Sequence, residues 1–518
     1  MSPFRRHRGI LKSATVNLSA RIAEGVLGLL LVILLAREFG ISASTDAYMI
    51  ALWLPMFFWG LGETILVYSL VPYFVAIREK EGPEAFRRTV GAVFFWFSLF
   101  LAGIASLVFL AAPLLAWILA PGFSEETRVL VSHLLRWLAP VIFIGGLGGF
   151  ASCLFYAAQR FVVPAASSLL PDLGAIGFLL LYADSWGITA PAAGFMFGVL
   201  AQGLLLFAAL AVFRMLPVFR RGAFREFWGA VRLIGPRFGG ASINRFNMGV
   251  DRFFASMLGP GSVSALVYAF RLAQVPIVLS VAALGKTLMP VLTREVIHGG
   301  PERLRSLIPR AVGFVGFSLA PIVLFFVFFS EPLIRVLYQR GGFDPEATRL
   351  AAEVLLYYSL GILFTAFCIL FQGVFYALQD TLTPLKVNAA ALVINVVADV
   401  VLMNLLGLPG IALASVLVAA CSAVFLYIAL KRRVGGFEMG GVVRTYGRLL
   451  PVWGSLGGLA WGAATVVSPF MAPATLQVQI LWVAALFMIS GGVYLLLCRW
   501  FQVDEYRYVA RMLGKGFK

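Results

Sequence analysis

The chain has 518 residues, of which 61% are hydrophobic, 14% aromatic and only 13% charged, and its formal net charge is +17. Soluble domains average about 45–50% apolar and about 25% charged residues, so a soluble fold of this size would have too few polar residues to cover its surface. The same figures exclude intrinsic disorder, collagen-like repeats and disulfide scaffolds. We therefore expect a protein that crosses a membrane many times.

Long unbroken apolar runs predict transmembrane helices, because a crossing helix needs about 20 apolar residues and a barrel strand only about 10. The predicted fold class is an all-α polytopic membrane protein with about 14 transmembrane helices. In chain order they are predicted at 14–36, 46–77, 89–119, 130–157, 164–182, 190–213, 233–258, 264–293, 308–338, 350–378, 385–406, 409–430, 449–469 and 477–498. No aqueous domain is left between them for the chemistry of a membrane enzyme, so we expect a transporter rather than an enzyme.

Basic residues are concentrated in the predicted loops on the side of the N-terminus. Examples are Arg5, Arg6, Arg8, Arg87, Arg88, Arg220, Arg221, Arg225, Arg303, Arg305, Lys431, Arg432, Arg433, Arg507 and Arg511, whereas the opposite loops carry Arg37, Arg128, Arg340 and Arg349. This bias predicts that both termini are cytoplasmic. It also indicates contact with anionic membrane lipids, and no nucleic-acid partner is needed to explain the net charge.

An internal repeat organises the chain. The segment Phe155-Tyr156-Ala157-Ala158-Gln159 returns 220 residues later as Phe375-Tyr376-Ala377-Leu378-Gln379, and each copy is followed by four residues and a proline. Gly122-Phe123 and Gly342-Phe343 repeat at the same offset. The offset contains six predicted helices, which indicates parallel repeats of the same orientation. We expect an N-lobe of helices 1–6 at 1–230, a C-lobe of helices 7–12 at 231–432, and two appended helices with a basic cytoplasmic tail at 433–518.

Charges within apolar spans are costly and usually face a partner or an aqueous cavity. Arg245 and Arg252 are seven residues apart and share a helix face, and Gly249 between them leaves room for a ligand. Arg271 follows on the next predicted helix. Internal ion pairing, for example of Asp251 with Arg252, is one interpretation. We prefer a cationic cavity wall, since basic residues outnumber acids here and a guanidinium donates paired hydrogen bonds to phosphate.

Other polar residues leave two interpretations open. Arg21 and Glu24 are spaced for a local ion pair, and Glu63 fits either a titrating or cation-binding group or a buried neutral acid. Asn388, Asn395 and Asp399 form one stripe that Ser415 can face. Their oxygens suit a small hard cation, but they equally suit a hydrogen-bonded clamp between helices.

Several segments resemble one known family. They are Thr45-Asp46-Ala47, Ala120-Pro121-Gly122-Phe123, Gly261-Ser262-Val263-Ser264, Leu337-Tyr338-Gln339-Arg340-Gly341-Gly342-Phe343 and Phe375-Tyr376-Ala377-Leu378-Gln379-Asp380-Thr381-Leu382-Thr383-Pro384. Across nearly the whole chain the sequence resembles the MurJ (MviN) lipid II flippases, which belong to the multidrug/oligosaccharidyl-lipid/polysaccharide exporter superfamily. The resemblance implies two six-helix lobes around a cationic cavity, a groove for the lipid tail in the last two helices, and alternating access in the bacterial inner membrane.

The resemblance also implies site residues. Substrate-binding positions fall on Arg271, Asp46 and Glu63, with Arg21, Arg245 and Arg252 as candidates for the remaining cationic wall. A sodium site falls on Asp251, Asn395, Asp399, the Ile411 backbone and Ser415, and no other cofactor is expected. The chain departs from the family at Gly25, Leu31 and Trp59, where relatives typically carry arginines, and at Phe270, where they carry an acid.

These features predict a flippase that moves a polyprenyl-(di)phosphate-linked glycan, in first place lipid II, across the membrane. The expected partners are this anionic lipid-linked glycan, membrane lipids and proteins of cell-envelope synthesis. A flippase for another lipid-linked oligosaccharide is the first alternative, followed by a cation-coupled drug antiporter. A membrane glycosyltransferase lacks an evident acid pair or metal site, and a transport-inactive scaffold is a further alternative.

Overall fold

The structure is a computed structural model that describes residues 3–217, 224–437, 439–471 and 475–515. Side chains within 3–18, 61–65, 68, 225–226, 230, 233–241, 244, 279–303, 439–442, 468–471 and 511–515 lie outside this description. The described chain forms seventeen α-helices and no β-strand. The all-α fold class predicted from the apolar runs is therefore confirmed.

The helices fall into two compact units, residues 1–264 and 265–518. The helices that lie in the first unit are α1 (Pro3–Phe39), α2 (Ala43–Lys80), α3 (Gly82–Leu110), α4 (Ala112–Leu119), α5 (Glu125–Ala157), α6 (Val162–Ser167), α7 (Leu170–Trp186), α8 (Thr189–Val212) and α9 (Phe224–Ala255). Side chains define where some of them begin: Ser42 accepts a hydrogen bond from the backbone N–H of Thr45, and Ser124 accepts one from Thr127. These are the N-caps expected for serine.

The remaining helices continue to residue 515. They are α10 (Ser262–Phe328), α11 (Ser330–Tyr338), α12 (Pro345–Ala377), α13 (Leu382–Leu406), α14 (Leu408–Val434), α15 (Met439–Met471), α16 (Leu476–Trp500) and α17 (Asp504–Lys515). The lobe boundaries predicted at 230 and 432 follow the sequence repeat, whereas the division at 264 follows the compact units of the structure. The predicted lobes therefore stay predictions.

Eleven helical segments of the described chain are long and apolar enough to cross a membrane. The sequence predicts about 14, and this number is not reproduced. One difference lies in α10, a single helix of 67 residues where the sequence predicts spans at 264–293 and 308–338 separated by a loop. The stretch between these spans is polar and includes Gly299, Gly300 and Pro301, which disfavour a helix interior, yet the helical backbone of α10 continues through it.

The predicted repeat is visible in the backbone. Helices α5 and α12 both contain 33 residues and are separated by the offset of the sequence repeat. Each ends at a glutamine in the left-handed region, Gln159 at φ 57° and Gln379 at φ 58°. In each copy the N–H two residues beyond the helix C-cap bonds back to the motif phenylalanine, Arg160 to Phe155 and Asp380 to Phe375, both at 2.9 Å. The FYAxQ motif is thus a helix-terminating turn.

The core of the first unit lies where α2, α3, α5 and α8 meet. Phe150 of α5 is fully buried, and its ring centroid lies 6.0 Å from that of Phe74 on α2 and 5.4 Å from that of Phe94 on α3. Leu206 and Leu210 of α8 complete this cluster. Aromatic pairs at these separations add specific contacts to area burial, so the cluster fixes helices that frame the cavity described below.

In the second unit the last helices pack on the end of α10. The Tyr494 hydroxyl of α16 donates a hydrogen bond of 2.6 Å to the Phe317 carbonyl, and the Thr445 hydroxyl of α15 donates one of 2.9 Å to Glu505 of α17. Buried Leu449, Val452, Leu456 and Cys498 fill the space between them. The appended helices are therefore bound to the second unit by a core of their own.

Candidate functional site

A cavity of about 930 Å³ lies within the first unit, between α1, α2, α5, α8 and α9. Its wall contains three charged side chains, Arg21 and Glu24 of α1 and Arg245 of α9. The rest of the lining is polar or apolar and includes Val67, Val71, Ser152, Tyr156, Gln159, Ser168 and Gln202. Two arginines predicted for the cationic wall thus share one cavity, and they outnumber its described acid.

Arg245 approaches α2 closely because position 60 is glycine. A Cβ on Gly60 would overlap the Arg245 guanidinium. Arg245 is half-buried, and its side chain lines the cavity. A guanidinium in this position can donate two parallel hydrogen bonds to a phosphate.

Arg252 has a different environment from Arg245. Its Nη1 donates a hydrogen bond of 2.9 Å to the backbone carbonyl of Met49 on α2. The space over Gly249, expected to leave room for a ligand, is occupied by Trp53, whose ring a Cβ would overlap. This face of α9 therefore packs on α2, and Arg252 is not among the described residues of the cavity wall.

Asp46 is fully buried at the start of α2. Its two carboxylate oxygens accept backbone hydrogen bonds from Gly261 at 2.6 Å and from Ser264 at 2.7 Å. Gly261 has φ +91°, so the turn needs a glycine there. The N–H groups of a helix start have no partner within the helix, and Asp46 satisfies two of them across more than 200 residues of sequence. The sequence indicated Asp46 only through the family resemblance and carried no signal for its partners.

Arg271 lies in the second unit and is half-buried. Tyr268, on the same helix, lies in an aromatic cluster with Tyr338 and Phe343. Phe270, where the resemblance implied an acid, packs its ring edge-on against Tyr358 at 5.4 Å between centroids. The position next to Arg271 is therefore used for helix packing in this chain.

The polar stripe predicted for a cation lies largely in the second unit. The Asn395 side-chain amide donates a hydrogen bond of 2.9 Å to the Asp399 carboxylate, and both side chains are buried on α13. Ile411 and Ser415 lie on α14, which packs against α13. Asp251 lies on α9 in the first unit. The structure thus shows the Asn395–Asp399 pair, and the remaining oxygen donors stay predictions.

Of the three positions where the resemblance implied arginines, Trp59 and Leu31 are apolar packing sites here. Trp59 contacts Gly145 of α5 and lies edge-on to Phe195 at 5.7 Å between centroids. Leu31 is buried, and the space around Gly25 is open. The side chain of Glu63 lies outside the described residues.

Comparisons with known proteins agree on one family. The family model described as Lipid II flippase MurJ matches residues 35–481. The chain belongs to the MurJ family. It is 26% identical to the "Probable lipid II flippase MurJ" of Bdellovibrio bacteriovorus over 84% of both chains, and 26% identical to the "Lipid II flippase MurJ" of Burkholderia cenocepacia over 82% of this chain and 84% of that protein.

Solved structures support the fold of the MurJ family. The structure named "Lipid II flippase MurJ, inward closed conformation" matches 93% of this chain and 98% of its own length, with a TM-score of 0.75 and 21% identity. A multidrug resistance MATE family transporter of the MOP superfamily in an inward-facing conformation matches 82% of this chain and 98% of its own length, with a TM-score of 0.66 and 15% identity. The chain is a multi-span membrane protein with the fold of these transporters.

Proposed function

We propose that this MurJ-family protein is a flippase that moves lipid II from the inner to the outer leaflet of the bacterial cytoplasmic membrane, with both of its termini in the cytoplasm. The observation that carries the proposal is the cavity in the first unit with Arg21 and Arg245 in its wall. Two guanidiniums in the wall of one cavity suit a diphosphate, since each donates paired, charge-assisted hydrogen bonds.

In this mechanism the charged headgroup occupies the cavity while the polyprenyl chain stays in the lipid. Arg245 and Arg21 hold the diphosphate. The transmembrane potential changes the free energy of moving the charged headgroup across the membrane by about 2.3 kcal/mol per charge per 100 mV. The hydrogen bonds of Asp46 with Gly261 and Ser264 tie the start of α2 to the turn before α10.

Depletion of the protein and analysis of the lipids that accumulate test this function. Accumulation of the peptidoglycan precursor would support lipid II as the cargo, and accumulation of a different polyprenyl-linked glycan would assign the protein to another lipid-linked oligosaccharide. If no lipid-linked precursor accumulates, the flippase function is wrong, and a drug antiporter or a scaffold would explain the fold better.

Arginine variants test the cationic cavity. We expect Arg245→Ala and Arg21→Ala each to reduce flipping by about 10- to 100-fold, since both side chains lie in the cavity wall and a hydrogen bond to a charged group contributes about 1.5–3 kcal/mol. Arg349→Ala, which removes an exposed arginine in the first turns of α12, is the matched control. Variants that reach the membrane at normal levels and flip lipid II at the wild-type rate would contradict the cationic cavity.

We further propose that sodium is the coupling ion and that Asp399, with Asn395, Ser415 and the Ile411 backbone, provides its oxygen ligands. The buried Asn395–Asp399 pair supplies hard oxygen donors on one helix, as sodium prefers. Asp399→Ala should remove the sodium dependence of transport. Asn404→Ala, on an exposed part of the same helix, should leave it intact, and an unchanged sodium dependence in Asp399→Ala would reject the site.

A further inference from the structure

The cavity that contains Arg21 and Arg245 has neutral polar residues in addition to its charged ones. Gln202 on α8 and Ser152 on α5 line it, and both side chains are buried. The Oε1 atom of Gln202 is buried and accepts no hydrogen bond within the described part of the chain. A buried polar atom without a partner costs free energy. Helix packing alone therefore favours an apolar residue at position 202, so the glutamine points to a ligand.

The second repeat closes the equivalent polar set with a hydrogen bond. At the offset of the repeat, Ser152 corresponds to Gln372, Ser168 to Asn388 and Gln202 to Ser422. The side-chain amide of Gln372 donates a hydrogen bond of 3.2 Å to the Asn388 oxygen, and these two longer side chains join α12 to α13. In the first repeat both positions are serine, and Ser168 donates to the Ala165 carbonyl of its own turn instead. The first repeat thus keeps a polar group, Gln202, whose acceptor oxygen is available to a ligand in the cavity.

Two stacked rings lie in the wall of the same cavity. Tyr156 in the last turn of α5 and Phe161 at the N-cap of α6 both line it, with 5.7 Å between their ring centroids. The face of an aromatic ring carries partial negative charge, so it attracts the weakly positive C–H groups of a sugar ring. An amide oxygen accepts a hydrogen bond from a sugar hydroxyl or an acetamido N–H. Stacked rings together with a neutral amide therefore fit a carbohydrate, whereas the arginines fit phosphate.

The cavity also has room for more than a diphosphate. Its volume of about 930 Å³ is at the upper end of the range for small-molecule sites, about 300–1,000 Å³. We propose that Gln202 and the Tyr156–Phe161 pair bind the sugar that is attached to the diphosphate. This subsite rests on the proposed function, since Arg21 and Arg245 hold the diphosphate in the same cavity. It selects a glycosylated polyprenyl diphosphate over the bare carrier lipid, because a site built to hydrogen-bond a ligand disfavours an analogue that lacks the donor.

Two matched ligands test the subsite: lipid II, and undecaprenyl diphosphate, which carries no sugar. Native mass spectrometry of the full-length protein in detergent measures the affinity for each. Gln202→Met keeps the side-chain length but removes the acceptor, so it should weaken lipid II binding by about tenfold, the loss of one hydrogen bond of about 1.4 kcal/mol, and leave the affinity for undecaprenyl diphosphate unchanged. Phe161→Leu should weaken lipid II binding by about two- to tenfold with the same selectivity. The control Gln477→Met, at an exposed position of α16, should change neither affinity.

Failure of the subsite and failure of the proposed function give different results. If Arg245→Ala weakens the binding of both ligands while Gln202→Met and Phe161→Leu bind lipid II as tightly as wild type, the sugar subsite is wrong and the diphosphate site remains. Equal weakening of both ligands by Gln202→Met would also overturn the subsite, because the residue would then support the cavity without contacting the sugar. If the wild-type protein binds neither ligand, the proposed function is wrong and the subsite is rejected with it.

Thermal unfolding without ligand separates a ligand-binding role of Gln202 from a structural one. Gln202→Met removes a buried oxygen that has no partner among the described residues, so its melting temperature should equal or exceed that of wild type. A melting temperature well below that of wild type would overturn the proposal, because it would assign Gln202 to helix packing.

Discussion

Replacing Asp46 tests the long-range contact between the start of α2 and the turn before α10. Asp46→Ala leaves the N–H groups of Gly261 and Ser264 buried without an acceptor. Each buried donor that loses its partner costs about 1–3 kcal/mol, so the two together cost about 2–6 kcal/mol. That is a large share of a typical domain stability of about 5–15 kcal/mol. Asp46→Asn keeps one acceptor oxygen and should cost about half as much.

Asp344→Ala is the matched control for this experiment. Asp344 also accepts a hydrogen bond from a helix N-terminus, from the N–H of Ala347 at 2.7 Å, but it is exposed and its contact is local. Loss of such an N-cap costs about 1 kcal/mol. Thermal unfolding of the purified variants in detergent should rank Asp46→Ala well below Asp344→Ala. If both variants unfold at the same temperature, the buried carboxylate does not hold the turn.

Three further predictions concern the core and the helix ends. Phe150→Ala should lower the free energy of unfolding by about 3–5 kcal/mol, because its ring contacts Phe74 and Phe94; denaturation in detergent measures this, and a loss below about 1 kcal/mol would contradict the packing. Gln379→Gly should stabilise the protein by up to about 1 kcal/mol while Gln379→Val destabilises it, since only glycine adopts a positive φ freely; equal melting temperatures would refute the role of the turn. The N–H of Thr383 lowers the pKa of the Asp380 carboxyl below its ordinary value of 3.8, so its stabilisation of α13 is present above that value and is lost on further acidification; melting curves of wild type and Asp380→Asn should differ near neutral pH and converge in acid.

The architecture and the repeat could be read from the sequence because both depend on local or periodic signals. Apolar runs specify membrane helices. The turn at each FYAxQ motif depends on residues that are close together in the sequence, such as Phe155 and Gln159. The continuity of α10 could not be read in this way. Hydropathy reports where polar residues lie, and it does not report whether the backbone hydrogen bonds continue through them.

The candidate site was predictable in its residue types and less so in its contacts. The cost of a charge inside a membrane span singles out Arg21 and Arg245, and the structure places both on one cavity wall. The same argument places Arg252 in the cationic wall, yet Arg252 donates a hydrogen bond to the backbone carbonyl of Met49. Backbone acceptors are present at every residue, so a sequence cannot indicate which of them a distant arginine will reach.

The turn that closes α5 and α12 has a consequence for how such a chain can evolve. Both copies keep the left-handed glutamine, but the next residue is Arg160 in one copy and Asp380 in the other. Arg160 lies over the ring of Phe213, whereas Asp380 accepts hydrogen bonds from the first residues of α13. Two identical subunits would have to carry the same residue at both places. Gene duplication followed by fusion removes that constraint, so one corner of the molecule can become basic while its counterpart becomes acidic, with the backbone bend unchanged in both.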